Sequence, residues 1–280
     1  MIHSFPGETQ QALLSALQSV KLRATSALSI RTEVDFTTDD SLSAAFTESQ
    51  RGLRVAILDA ANRSLVGGLG MCPYAGTQEE DLIRASNLYF LLSPVVNKQL
   101  GRQCAHTFTS PEQSAIRCHI PYFGCVVLPG VSFLSQDARD TTALFDVIAC
   151  AFPDFRSRSD EWLLYFRAAT RSEIRHVVMR KVEAILCAAV RLGCQSVVLT
   201  AIGCGVFAGS NRRLVQLLEP SDPGLSNKLA MARLVGSCFA EALGSDMFRD
   251  RFERVVFAIA YDNLLYSEFK NTFEKCFSGD

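Results

Sequence analysis

Residues 171–209 read RSEIRHVVMRKVEAILCAAVRLGCQSVVLTAIGCGVFAG. Ile174, Val178, Val182, Ile185 and Val190 recur at steps of three to five residues, which predicts an amphipathic helix from Arg171 to Arg191. Gly193 suits the left-handed cap that ends such a helix. Ser196-Val-Val-Leu-Thr200 follows as a short apolar strand, and Gly203-Cys-Gly-Val-Phe-Ala-Gly209 as a glycine-rich turn into another helix near Asn211. Helix, buried strand, glycine loop and helix in succession make the repeating unit of a parallel sheet covered by helices.

The same alternation extends in both directions. Ile30 to Phe36 alternates apolar with polar residues, and Val55–Leu58, Cys125–Leu128, Val147–Ala151 and Val255–Ala260 are compact apolar runs, all read as strands. Helices are expected over residues 8–20, where Leu13, Leu14, Leu17 and Val20 share a face, and after the capping pair Asp39–Asp40. Further helices are expected over Gln78–Leu92, 226–243 and 264–277. The class is therefore α/β with a largely parallel sheet. No stretch is long or polar enough to force a domain boundary, and 103–115 reads as a loop. The expectation is a single domain over 1–280, with a core from 28 onward behind an N-terminal helical extension over 1–27.

With 28 Lys+Arg against 29 Asp+Glu the formal charge is −1, which argues against a general nucleic-acid binder. A hydrophobic content of 48% with 20% charged residues excludes a disordered chain. None of the 10 cysteines forms a C-x-x-C pair, and Cys125, Cys150, Cys187 and Cys238 sit in apolar runs, as buried thiols of a reducing compartment do. The start, MIHSFPGETQ, has no basic segment leading into an apolar one. A cytoplasmic location is the expectation, with nuclear residence or secretion into a host cell left open. The uncharged stretches 118–136 and 192–211 are broken by Gly, the first also by Pro, so no membrane span is expected. Cys104, His106, Cys118 and His119 match no common zinc spacing. His176 reads as a residue of its helix surface or packing, and Arg156, Arg158, Arg212 and Arg213 as solvated charges or contacts to an acidic partner.

In an open α/β sheet, ligands bind beyond the carboxyl ends of the strands. Two glycine-rich loops fall there: Asp59-Ala-Ala-Asn-Arg-Ser-Leu-Val-Gly-Gly-Leu-Gly70 and Gly203–Gly209. Glycine permits positive φ and close backbone approach, so N–H groups can line an anion cradle, and two such cradles suit a diphosphate. Each alone is equally well explained as a tight turn. Neither is a Walker A or an early G-x-G-x-x-G.

The first loop continues Met-Cys-Pro-Tyr-Ala-Gly-Thr into Gln78-Glu79-Glu80. Here the chain resembles the poly(ADP-ribose) glycohydrolase branch of the macrodomain superfamily, in which a triple-glycine segment precedes Gln-Glu-Glu by six to eight residues. DLIRASNLY (81–89) is similar to the microbial-type members, and Asp59-Ala-Ala-Asn62 with Gly67-Gly68 to the Asn-Ala-Ala-Asn…Gly-Gly element of ordinary macrodomains. Residues 145–149 are similar to the family's strand before a Pro-rich turn, 199–208 to its phosphate loop, and 255–260 to its last core strand. The resemblance spans roughly residues 28–277. Leu69 interrupts the triple glycine, with Gly70 behind it. Asp59 stands where the family commonly has Asn, and an extra acid near the distal ribose is expected to favour a cationic leaving group such as arginine.

What the resemblance implies is a three-layer α/β/α macrodomain with a mixed, largely parallel sheet. Its activity would be hydrolysis of the glycosidic bond at the distal ribose of poly- or mono-ADP-ribosylated substrates, with no metal or cofactor. ADP-ribose or an ADP-ribosylated protein is the implied partner, and the oligomeric state is left open. Such hydrolysis passes through an oxocarbenium-like state and needs a protonated carboxyl beside the leaving oxygen. Glu79 and Glu80 are adjacent, so on a helix their side chains diverge by about 100° and hold different roles. By resemblance Glu80 is the acid/base, Glu79 orients the distal ribose, and Gln78 shapes the turn. Asn62 would bond the ribose, with an Asx-turn as the competing role. Gly67, Gly68 and Gly70 line the first cradle, and Gly203, Cys204, Gly205, Val206 and Phe207 the second, the Phe207 ring packing on a ribose or serving as a core residue. Asp35 is similar to the acid that holds the adenine amino group, although an acid at a strand end also forms turns. Two other readings stand beside this one: a macrodomain that binds ADP-ribose without cleaving it, and an α/β enzyme for a different nucleotide.

Overall fold

The computed structural model describes residues 31–63, 76–92, 120, 122–134 and 142–278. Strands β1 (Glu33–Thr37), β2 (Val55–Asp59), β3 (Val126–Leu134), β4 (Thr142–Ala149), β5 (Ser196–Leu199) and β6 (Arg254–Ala258) form one sheet in the order β1-β6-β5-β2-β4-β3. Every neighbouring pair is parallel except β3 with β4, which is antiparallel at one edge. The sheet is thus mixed and largely parallel, as expected.

Alternation along each strand divides the core in two. On one face Val55 and Ile57 of β2 pack with Leu42, Ala44 and Ala45 of α1 (Ser41–Gln50) and with Leu82 and Ile83 of α2 (Gln78–Arg84). On the other, Ala56 and Leu58 meet Val178, Val182 and Ile185 of α3 (Arg171–Leu192). That second core also takes in Leu214 of α4 (Arg212–Leu218), Phe239 of α5 (Asn227–Gly244) and Phe269 of α6 (Asn263–Phe277). Helices cover both faces, giving the three layers of a macrodomain-like fold. Gly193 ends α3 at φ 69, and Asp40 caps α1 by accepting the Leu42 and Ser43 N–H groups.

Two elements differ from their sequence reading. The helix expected over Gln78–Leu92 breaks after Arg84, because residues 85–87 meet the sheet edge, and residues 88–92 are helical again. The Ala85 carbonyl accepts the Leu134 N–H, while Asn87 accepts the Ser132 N–H on Oδ1 and gives its own N–H to the Ser132 carbonyl. The strand expected to end at Leu128 runs on to Leu134, since a register shift between Leu128 and Val131 carries pairing past Pro129 and Gly130. Gly130 takes φ 65 there, and its N–H donates to Asp146 Oδ1. The helix over 8–20, the extension over 1–27 and the loop over 103–115 lie outside the described residues.

Candidate active site

The start of α2 lies against the carboxyl end of β2, and its first turn carries the Gln-Glu-Glu triplet. Thr77 caps it in a capping box: the Thr77 N–H donates to Glu80 Oε2 at 2.9 Å, and the Thr77 hydroxyl donates to the same oxygen. Gln78 straps the turn to β2, donating from Nε2 to the Leu58 carbonyl (2.6 Å) and accepting the Ala60 N–H on Oε1 (2.9 Å). Glu79 Oε2 accepts the Asn62 N–H at 2.8 Å. Glu79 and Glu80 are only 2% and 3% exposed, so these are not two solvated acids on a helix start.

Asp59, the last residue of β2, is wholly buried, and neither carboxylate oxygen has a hydrogen-bond partner among the described residues. Burial, with the neighbouring Cys150 and Glu80 adding repulsion, pushes its pKa from 3.8 to about 7. An orphaned buried carboxyl beside the Glu79–Glu80 turn marks a place where structure alone leaves a polar group unsatisfied.

The second loop is held by close packing. Gly203 takes φ 78, and a Cβ there would sit 2.1 Å from the Phe152 ring. Gly209 takes φ 56 with Arg156 Cγ 2.5 Å from the Cβ position. Arg156, exposed as read from the sequence and paired with Asp154, also lies over the Phe207 ring at 5.7 Å, where it braces the loop. Cys204 is buried, its N–H bonded to the Ala201 carbonyl and its thiol raised by burial; its side chain offers nothing to a ligand. The Ala208 N–H closes on the Gly205 carbonyl. Among the described residues no such bond uses the N–H of Gly205, Val206 or Phe207. Gly205 and Val206 are exposed, which leaves the loop tip open to an anion.

A cleft of about 270 Å³ opens beyond β5 and β6, lined by Asp40, Ser41, Gln78, Thr200, Ala260 and Tyr261 among others. Tyr261, missed by the sequence reading, holds φ 66 and is 92% exposed on its rim. Strained backbone of this kind clusters at functional sites. Asp35 is not in this lining. Its carboxylate pairs with Arg254, which also binds Glu33 and the buried Glu48. Asp35, expected to face the ligand, sits mid-strand on β1 and half-exposed in this ion network. Asp40, at the next helix cap, occupies the cleft wall instead. Gly67, Gly68 and Gly70 lie outside the described residues, as do Cys104, His106, Cys118 and His119. Among the described residues no cluster of His, Cys, Asp and Glu could hold a metal, and no helix is long and apolar enough to cross a membrane. His176 is exposed on α3.

The family model described as "Microbial-type PARG, catalytic domain" matches residues 9–116, the span that holds Asp59, Asn62 and the Gln-Glu-Glu turn. The chain resembles the microbial-type poly(ADP-ribose) glycohydrolases. The likeness continues in three dimensions. Poly(ADP-ribose) glycohydrolase from Thermomonospora curvata is 25% identical, with 94% of this chain and 83% of that one covered at a TM-score of 0.66. The same enzyme bound to the inhibitor ADP-HPD gives a TM-score of 0.64 at the same identity and coverage. The glycohydrolase from Deinococcus radiodurans in complex with ADP-ribose is 20% identical, covers 98% and 93% of the two chains, and superposes with a TM-score of 0.63. Among curated proteins none matches.

Proposed function

We propose that this protein is a poly(ADP-ribose) glycohydrolase: it binds ADP-ribose and hydrolyses the glycosidic bond at the distal ribose. One observation carries the reading. Two buried carboxylates, Glu79 and Glu80, share a capped helix start at the mouth of the sheet, beside the orphaned Asp59 and the Asn62 backbone. Solvated first-turn acids need no burial, and a helix cap alone needs one carboxylate, not two. Glycohydrolases similar to this chain have been captured with ADP-ribose or ADP-HPD bound, which supports the choice of ligand.

In this scheme the Gly205–Phe207 tip takes the diphosphate on its backbone N–H groups, and Tyr261 offers a ring for the base at the cleft rim. Glu79, fixed by the Asn62 N–H, accepts from the distal ribose hydroxyls. Glu80 gives its proton to the leaving oxygen as the anomeric C–O bond breaks. It then takes one from the water that adds to the oxocarbenium carbon.

Mono-ADP-ribose on protein side chains is a second substrate class for the same chemistry. Asp59, wholly buried beside the Glu79–Glu80 turn, is the residue that would favour arginine linkage, since a guanidinium would draw its raised pKa back down. Incubation with poly(ADP-ribose), and separately with serine-, glutamate- and arginine-linked protein, tests the scheme by the free ADP-ribose released. ADP-ribose binding without release from any of them would leave a reader in place of an enzyme, and no binding would reject the family of ligands.

A further inference from the structure

β3 and β4 run antiparallel with Val126 opposite Ala149 and Val127 opposite Ile148. One step along both strands sets Cys125 opposite Cys150. Directly opposite residues of such a pair hold their Cα atoms about 4.5–5.5 Å apart, inside the roughly 4.4–6.8 Å that a disulfide bridges. Cys150 Sγ lies 3.9 Å from the carbonyl of Gly124, the residue before Cys125, so its side chain points at this partner. Both are free thiols, Cys150 buried and Cys125 half-buried. Beneath them Lys181 of α3 is 1% exposed, its ammonium 5.3 Å from the Tyr122 ring, with no ion-pair partner among the described residues.

We propose that Cys125 and Cys150 form a dithiol site that hydroperoxides oxidise to a reversible disulfide, with Lys181 as its positioning charge. Cys125, the less buried of the two, attacks the peroxide O–O bond. An S–O bond forms, O–O breaks, and the departing oxygen leaves as water or alcohol, carrying the thiol proton. Cys150 sulfur then attacks the sulfenic sulfur. S–S forms, S–O breaks, and hydroxide leaves with the Cys150 proton as water. The two sulfurs give up the two electrons that reduce the peroxide.

The electrostatics favour the second step, the attack by Cys150. Contact with Cys125 and the Lys181 charge pull the Cys150 thiol below its usual value, while Cys125 is raised in return. Burial lowers Lys181 and the two sulfurs oppose that change. Asp59, Cys187, Arg63, Glu161 and Tyr122 are the other titrating groups around the pair and Lys181. Cys150 also holds the strand end of the proposed active site, its N–H on the Asp59 carbonyl and its carbonyl on the Ala61 N–H. The site is nevertheless read by mass and not by turnover, so it stands or falls apart from the catalytic reading.

The test is to treat the full chain with hydrogen peroxide, unfold it in an alkylating agent, and map the peptides by mass spectrometry. A cross-linked peptide pair containing Cys125 and Cys150, abolished by dithiothreitol and absent from Cys125→Ser, is expected. Finding both cysteines alkylated after peroxide, or joined to other cysteines, overturns the proposal. Lys181→Met should slow bond formation about tenfold at neutral pH and move its pH midpoint upward, with Lys181→Arg restoring both. Should Lys181→Met fail to fold, Lys181→Arg alone must form the bond within about twofold of the wild-type rate. A wild-type rate and midpoint in Lys181→Met, or failure of Lys181→Arg to form the bond, overturns the role of Lys181.

Discussion

Glu80 holds two tasks in one side chain: it closes the capping box on Thr77 and it is the proposed acid/base. Glutamine serves equally well in a capping box. Glu80→Gln should therefore fold normally and keep ADP-ribose affinity within a few-fold, while release of ADP-ribose falls about 10²–10⁴-fold. Calorimetric titration and a product assay on the same preparation read the two effects separately, and retained turnover would move the acid elsewhere. Asp59 makes a different prediction. It holds its proton to about pH 7 when folded but only to 3.8 when unfolded. Between those values the folded chain binds more protons, so this group's contribution to stability declines as pH rises from 4 to 7. Asp59→Asn should raise Tm at pH 8 by several degrees, at about 2–4 °C per kcal/mol for a chain this long, and leave it near wild type at pH 4. Thermal melts at the two pH values decide it. Asp59, Glu79 and Glu80 were all legible in the sequence as residues of interest, but their burial was not: a carboxylate at a helix start is written alike whether solvent or a sheet end covers it.

At the scale of elements, the phosphate loop depends on glycine at one place more than another. Gly203 needs both its positive φ and the space the Phe152 ring takes, whereas a Cβ on Gly205 meets nothing within 4 Å at φ −89. Gly203→Ala should cost about 1–3 kcal/mol and weaken ADP-ribose binding at least about tenfold, with Gly205→Ala folding like wild type. Urea unfolding beside the titration checks the pair. The helix–strand–loop succession over 171–209 was readable because each element there obeys local rules: periodicity, a glycine cap, a run of β-branched residues. Ser86 and Asn87 show where local rules stop. Nothing in DLIRASNLY marks a break, and the helix resumes at residue 88. The edge of β3, brought alongside from residues 132–134, outbids the helix by pairing with Ala85 and Asn87. Pro129 misled in the opposite sense, since a bulge lets the strand run past it.

At the scale of the whole molecule, Arg254 ties the sheet together at the end away from the cleft. It is nearly buried and binds Glu33, Asp35 and Glu48, while Ser196 of β5 donates to Glu48 at 2.9 Å. Truncating one partner strands a buried charge, so Glu48→Ala should cost about 3–5 kcal/mol in urea unfolding without changing kcat at low temperature. Asp35→Asn trims an exposed arm of the same network and should leave ADP-ribose affinity within about twofold, as titration would show; a tenfold loss would return Asp35 to the ligand.

The sequence by itself determined the α/β class, the largely parallel core, and the glycine-rich turn after β5 with the helix start at Gln78. Those features rest on short-range periodicity, capping and glycine punctuation, which need no knowledge of distant chain. Tertiary structure alone decided that Glu79 and Glu80 are buried, that Asp35 joins an ion network, that Arg156 braces a loop, that Tyr261 stands on a rim and that Cys125 neighbours Cys150. Each of these turns on residues far apart in sequence meeting across the sheet, where burial, charge pairing and register are set by the packed whole.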